Sequence, residues 1–310
     1  ARALGDRGVN CIVQKVAVNV DGTRLSLSSN TDLTFDAVDA IVAAGLPRPL
    51  LVAEIDPQLP WLGGVAAVEM DFFDIVIAPP GPYPRLFGLP RQPVGDADYA
   101  IGLYASALVR DGGTLQIGIG ALSDALCHAL VLRDTDNAAY RRVLQALDLE
   151  LELQPAGGAS GGLDPLPDGL YGCSEMVNEG FRLLVERGVL SRKVADKQPL
   201  MERLLDGSAS AFDRELLERE GQYLHGAFYL GSPDFYDWLR NLDDAERRAI
   251  DMRPVSETNQ LRRGDEALDR MQRRDARFFN TCMMATALGA ATSDALADGR
   301  FIVGSPATCI

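Results

Sequence analysis

Between Asp111 and Ala125 the chain reads Asp-Gly-Gly-Thr-Leu-Gln-Ile-Gly-Ile-Gly-Ala-Leu-Ser-Asp-Ala. That is a turn, a short strand, a glycine loop and the start of a helix. A strand that hands its chain through a tight loop into a helix is the building unit of a layered α/β protein. Gly118 and Gly120 permit close backbone approach and unusual dihedrals, and the amides of Ile119 and its neighbours point outward from the helix start. A phosphate loop would carry Gly-Lys-Ser/Thr here. A dinucleotide fingerprint would need a third glycine where Ser123 stands. Taken alone, Gly-Ile-Gly fits a simple strand-to-helix turn equally well.

The rest of the chain extends the alternation. Cys11–Val20 and Thr23–Leu27 are predicted strands joined at Asp21-Gly22, a hairpin signal. Phe35–Ala44 has helical spacing, Pro49–Ile55 is a short apolar run suited to a buried strand, and Val65–Met70 and Asp74–Ala78 are further strands. Pro79–Pro93 is rich in Pro and Gly and suits a domain boundary or an active-site loop. Helices are expected at Asp96–Arg110, Tyr140–Leu149, Lys197 to about Glu220, Pro233–Asn241 (with Ser232 as N-cap) and Asp243–Ile250. Gln154–Asp168 reads as a flexible loop, and Gly226–Leu230, Arg277–Met284 and Phe301–Val303 as strands. The predicted architecture is α/β with a largely parallel sheet, divided into residues 1–92 and 93–310.

Composition narrows the function classes. A formal net charge of −14 opposes nucleic acid or an anionic membrane as a bulk partner, while leaving room for a small anionic ligand held by local amides and arginines. Cys11, Cys127, Cys173, Cys282 and Cys309 are scattered, with no Cys-x-x-Cys, which predicts reduced thiols and a cytoplasmic setting. The two histidines, His128 and His225, lack metal-ligand spacing, so no metal is expected. No apolar run reaches the length of a membrane span. The first residues are Ala1-Arg2-Ala3, with no Met, as in a fragment.

A second informative stretch is Leu170–Gly180, LYGCSEMVNEG. Ser174 suits an N-cap, and apolar residues from Met176 to Val185 recur at roughly helical spacing, so a helix is predicted over Glu175–Arg187. Glu175 would then be the first helical residue. It either complements the helix dipole or serves as an ionised nucleophile or base facing a cleft.

In order, these stretches resemble the acetyl-CoA hydrolase/transferase family, the CoA-transferases of the 4-hydroxybutyrate and succinyl-CoA:acetate type. Asp111–Gly120 is similar to that family's D-G-x-x-L-Q-x-G-I-G phrase, and Ser174-Glu175-Met176, Gly180 and Gly188-Val189 to its Ser/Thr-Glu-Met stretch and following helix. Val52–Pro60 resembles A-E-V-N-P-x-M-P. Phe228–Trp238 resembles F-x-x-G-S-x-x-x-Y-D-F/W, and Phe279–Asp294 resembles the later I-N-S-A phrase. The resemblance runs from about residue 49 to 304. Two features depart from it: the glycine-rich S-G-x-G-G-Q-x-D-F phrase is replaced by Val303–Ile310, and much of the N-terminal half-domain has no counterpart. Ser123 in place of Pro is a milder change.

The resemblance implies two open α/β domains of the CoA-transferase type, the first incomplete, and a homodimer acting on an acyl-CoA and a small carboxylate. Coenzyme A would be a substrate. It further implies that Glu175 attacks the thioester and passes through a glutamyl-CoA intermediate, in a CoA-transferase or acyl-CoA hydrolase. Gly118, Ile119 and Gly120 would supply amides to the oxyanion. Asn280 would orient the glutamate or substrate, or simply end a strand. The alternative is a catalytically impaired CoA-binding relative. A nucleotide-linked oxidoreductase is opposed by the missing third glycine.

Overall fold

The computed structural model describes residues 2–89, 93–148, 161–259, 266–282 and 284–292. In the first part, α1 (Arg2–Asp6), β1 (Cys11–Val18), β2 (Arg24–Ser26), α2 (Thr31–Ala43), β3 (Leu50–Ile55), β4 (Ala67–Glu69) and β5 (Ile75–Ile77) build a five-stranded sheet of order β4-β2-β1-β3-β5. The hairpin at Asp21-Gly22 is present: β1 and β2 run antiparallel, Val18 lies opposite Leu25, and Gly22 takes φ +68°. From β1 through β3 to β5 the pairing is parallel. One face of this sheet buries Val16, Leu51 and Ala53 against Phe35 and Val38 of α2 and against Phe72 and Phe73. The other face leaves Val13, Leu50, Ile75 and Ile77 exposed.

The second part continues with α3 (Asp96–Ser106), β6 (Thr114–Ile117), α4 (Ala121–Thr135), α5 (Asn137–Ala146), β7 (Tyr171–Val177), α6 (Glu179–Glu186), α7 (Gln198–Leu205), α8 (Ala211–Glu220), β8 (Leu224–Tyr229), α9 (Pro233–Asn241), α10 (Asp244–Ala249), β9 (Ile250–Met252), α11 (Val255–Thr258), α12 (Glu266–Gln272) and β10 (Arg277–Phe279). The sheet order β10-β6-β7-β8-β9 is parallel throughout. Strands β6 to β9 are buried on both sides, as parallel sheets require, while the edge strand β10 leaves Phe278 exposed. Leu115, Ile117 and Val177 pack with Leu126, Leu130, Phe181, Leu184 and Phe235 on one face; Tyr171 and Cys173 pack with Val194, Leu200 and Met201 on the other. A ribbon of β11 (Met284–Ala285) and β12 (Ala291–Thr292) follows.

Several elements differ from the sequence reading. The predicted helix over Lys197–Glu220 is two helices, broken at Gly207 (φ +81°) and restarted at a Ser210–Asp213 capping box. Arg277–Met284 splits into β10 and part of the ribbon. The strand expected at Phe301–Val303 and residues 154–160 of the Gln154–Asp168 loop lie outside the described residues, as do residues 90–92 at the expected domain boundary.

The Pro-rich segment is a strap laid across both parts. Gln58 Nε2 donates to the Tyr83 and Pro84 carbonyls, the Leu89 amide donates to Gly231 O at 3.0 Å, and Tyr236 Oη donates to Phe87 O at 2.6 Å. Turns beside the first sheet also meet strands of the second directly. Ser28 Oγ and Tyr229 Oη are 2.5 Å apart, and the Val65 amide donates to Asp251 Oδ1 at 2.9 Å.

Candidate functional site

The structure places Glu175 inside β7 rather than at a helix start. β7 is the middle strand of a parallel sheet: β6 pairs with its first residues, Tyr171 and Gly172, and β8 pairs with it as far as Val177. Ser174, expected as an N-cap, is fully buried and turned toward the Ile117 carbonyl at 3.4 Å. Neighbouring strands override the local helical spacing. The helix starts at Glu179, and Asn178 is its cap, with Oδ1 accepting the Gly180 amide at 3.0 Å.

Leu115 lies opposite Gly172. Continued along both strands, that register brings Gly118 level with Glu175. Asn178 Nδ2 donates to Gly118 O at 2.9 Å and fastens the glycine loop to the end of β7. Both lie at the carboxyl ends of parallel strands, where open α/β sheets bind ligands. Gly120 takes φ +116° as the chain turns into α4, a conformation that favours glycine. The Gly118 amide is committed to Phe279 O at 3.0 Å, so the outward donors available from this loop are those of Ile119 and Gly120.

Glu175 is partly buried, and its Oε2 accepts a 2.7 Å hydrogen bond from Asn259 Nδ2. Asn259 follows α11 directly. Asn280 sits beside the glycine loop and exchanges amide hydrogen bonds of 3.2 and 3.3 Å with Gln116. The asparagine on Glu175 is therefore Asn259, which the sequence reading did not single out. No local signal marks it, because its role depends on a one-turn helix held in place by distant residues.

A further carboxylate comes from the first sheet's layer. Burial first, and then the negative charge of Glu175, push the Asp32 carboxyl above its ordinary range. Asp32 stands in the first turn of α2. The site thus lies at the seam between the two parts, with Glu175 from one and Asp32 from the other.

A separate cleft of about 320 Å³ opens between α4, α6 and the start of α9, lined by Asp124, His128, Glu179, Arg182, Leu183, Glu186 and Asp234 among others. Glu175 is not part of its lining, and four carboxylates against Arg182 and His128 make it a poor seat for a polyanionic ligand. Among the described residues, no group of three or more His, Cys, Asp or Glu could hold a metal ion. No described helix is long and apolar enough to cross a membrane. Cys11, Cys127, Cys173 and Cys282 are free thiols.

No protein-family model matches the chain. A 4-hydroxybutyrate coenzyme A transferase of Clostridium kluyveri is 25% identical over 166 residues, which is 53% of this chain and 30% of that protein. A succinyl-CoA:cyclohexane-1-carboxylate CoA transferase of Geobacter metallireducens is 33% identical over 81 residues, covering 26% of this chain and 18% of that protein. Among solved structures, RipA from Yersinia pestis superposes with a TM-score of 0.59 at 21% identity, over 94% of this chain and 51% of RipA. A 4-hydroxybutyrate CoA-transferase from Porphyromonas gingivalis does so with a TM-score of 0.50 at 19% identity, over 84% of this chain and 49% of that one. The chain spans about half the length of these solved structures, and its matches span less than a third of each curated relative. The resemblance to the CoA transferases read from the sequence is thus shared with curated relatives at low identity, the solved structures share the fold, and the chain is a distant relative of the CoA transferases.

Proposed function

We propose that this chain carries the nucleophile of an acyl-CoA:carboxylate CoA-transferase or acyl-CoA hydrolase, and that the nucleophile is Glu175. The observation that supports this most is the placement of Glu175. It is a partly buried carboxylate near the carboxyl end of the central parallel strand, oriented by Asn259 at 2.7 Å and level with the glycine loop.

In this reading the Glu175 carboxylate attacks the thioester carbonyl carbon. The C–S bond breaks, leaving an acyl-glutamyl anhydride and CoA thiolate. The thiolate then attacks the glutamyl carbonyl and expels the acyl group as its carboxylate, giving a glutamyl-CoA thioester. An acceptor carboxylate reverses the two steps in a transferase. In a hydrolase, water releases CoA and restores Glu175. In this reading the Ile119 and Gly120 amides donate to the oxyanion, and Asn259 keeps one carboxylate oxygen hydrogen-bonded while the other attacks. Coenzyme A enters as a substrate, and the chemistry as written needs no metal. The reading carries with it a division near residue 92, suggested by the Pro-rich segment, a cytoplasmic setting, suggested by the scattered cysteines, and a homodimeric assembly, which the family resemblance implies.

The test is CoA exchange. Incubation with acetyl-CoA or succinyl-CoA and a carboxylate acceptor, followed by chromatography, should show CoA moving to the acceptor or being released. Bound CoA with neither outcome would identify a non-catalytic CoA-binding relative.

A further inference from the structure

Helix α11 is one turn long, and so short a helix has almost no stability of its own. Its position is set by what grips it. Arg253, two residues before it, is buried and ion-paired with Asp251 and Asp196. Arg273 donates to the Glu257 carbonyl. The third grip crosses the seam: Asp36 on α2 accepts the Ser256 amide through Oδ2 at 3.0 Å and the Ser256 hydroxyl through Oδ1 at 2.5 Å. This satisfies one of the unpaired N–H groups at the start of α11. At the other end, the Asn259 amide returns to Val255 O at 2.9 Å while its side chain donates to Glu175. Each link between Asp36 and Glu175 is a hydrogen bond or the single helical turn itself.

We propose that Asp36 is a positioning residue for Glu175: by fixing α11 against α2 it sets, through Asn259, where the Glu175 carboxylate stands. The first sheet's layer thereby governs the geometry of a group held on the second sheet. The functional meaning of this link rests on Glu175 being the nucleophile; the link itself does not.

The experiment reads the link without relying on CoA chemistry. The full chain is treated with a water-soluble carbodiimide and an amine, and the labelling rate of Glu175 is followed by peptide mass spectrometry. The unsubstituted chain is compared with Asp36→Ala, Asn259→Ala and the double variant. Asn259→Ala should speed labelling about fivefold, the equivalent of one hydrogen bond. Asp36→Ala should produce a similar rise, and the double variant should react no faster than Asn259→Ala alone. Loss of a nearby negative charge by itself favours the ionised, less reactive carboxylate and would slow labelling in both backgrounds. A slowing of that kind, or an Asp36→Ala effect that is unchanged in the Asn259→Ala background, overturns the proposal.

Asp36→Asn keeps an acceptor for the Ser256 amide and should stay within about twofold of the unsubstituted chain. If Asp36→Ala does not fold, Ser256→Ala removes the hydroxyl link alone, and its increase should vanish in the Asn259→Ala background; persistence there counts against the proposal. In a CoA-exchange assay run beside it, Asp36→Ala should lower kcat with little change in KM. A chain inactive in that assay but showing the predicted labelling cycle would sink the nucleophile reading and leave the link standing.

Discussion

Asn178 Nδ2 lies 2.9 Å from the carbonyl oxygen of Gly118, and this contact ties the loop after β6 to the strand that carries Glu175. The same side chain caps α6 through its Oδ1. One residue thus starts a helix and fixes the loop beside the candidate nucleophile.

Asn178→Ala should therefore cost stability and activity together. Loss of a cap and of a partly buried hydrogen bond is expected to lower the unfolding free energy by about 2 kcal/mol. Asn178→Asp keeps the cap acceptor and loses the donor to Gly118, so it should recover most of the stability lost in Asn178→Ala while CoA exchange stays as low as in Asn178→Ala. Equilibrium urea denaturation and exchange rates on both variants separate the two roles.

The crossing of α3 and α4 depends on Gly102. A Cβ there would lie 2.6 Å from the Ala125 carbonyl carbon and 2.7 Å from its oxygen, both backbone atoms that cannot rotate away. Gly102→Ala should force the helices apart and lower stability by about 3 kcal/mol, despite alanine's better helix propensity. Thermal unfolding measures it, and Ala105→Gly on the same helix serves as the propensity control.

His225 predicts a pH dependence. Burial first, then the nearby Arg253 and Arg273 charges, hold its imidazole well below the ordinary histidine range, and Nδ1 is 2.6 Å from the Tyr171 hydroxyl. The folded chain keeps this ring neutral while the unfolded chain takes up a proton below about pH 6.5. The contribution of His225 is therefore fully present above that pH and is lost as pH falls, by about 1.4 kcal/mol per unit once the unfolded histidine is protonated. Unfolding free energies at pH 7.5, 6 and 5 (roughly spanning the histidine range) should fall less steeply in His225→Gln than in the unsubstituted chain.

What the sequence made legible was local. Helix α9 spans Pro233–Asn241 as predicted, because Ser232 caps it by accepting the Phe235 amide and Pro233 fills the first position. The Asp21-Gly22 hairpin and the strand–glycine–helix unit at Thr114–Ala121 are local as well. The setting of Glu175 is not local: the spacing after it suits a helix, while β6 at Tyr171 and Gly172 and β8 as far as Val177 hold the segment extended. Asn259, Asp32 and Asp36 were invisible in sequence because they reach the site only once α2 and α11 pack together. The Ser210–Asp213 capping box is itself a local sequence pattern, and it marks the break between α7 and α8.

The most direct test of the account is a peptide mass spectrum of the chain after exposure to acetyl-CoA or succinyl-CoA and trapping with borohydride or hydroxylamine. The account predicts a mass change confined to the peptide that contains Glu175, and its absence in Glu175→Ala. A chain that binds CoA yet shows no modification at Glu175, or one modified at another residue, would contradict it.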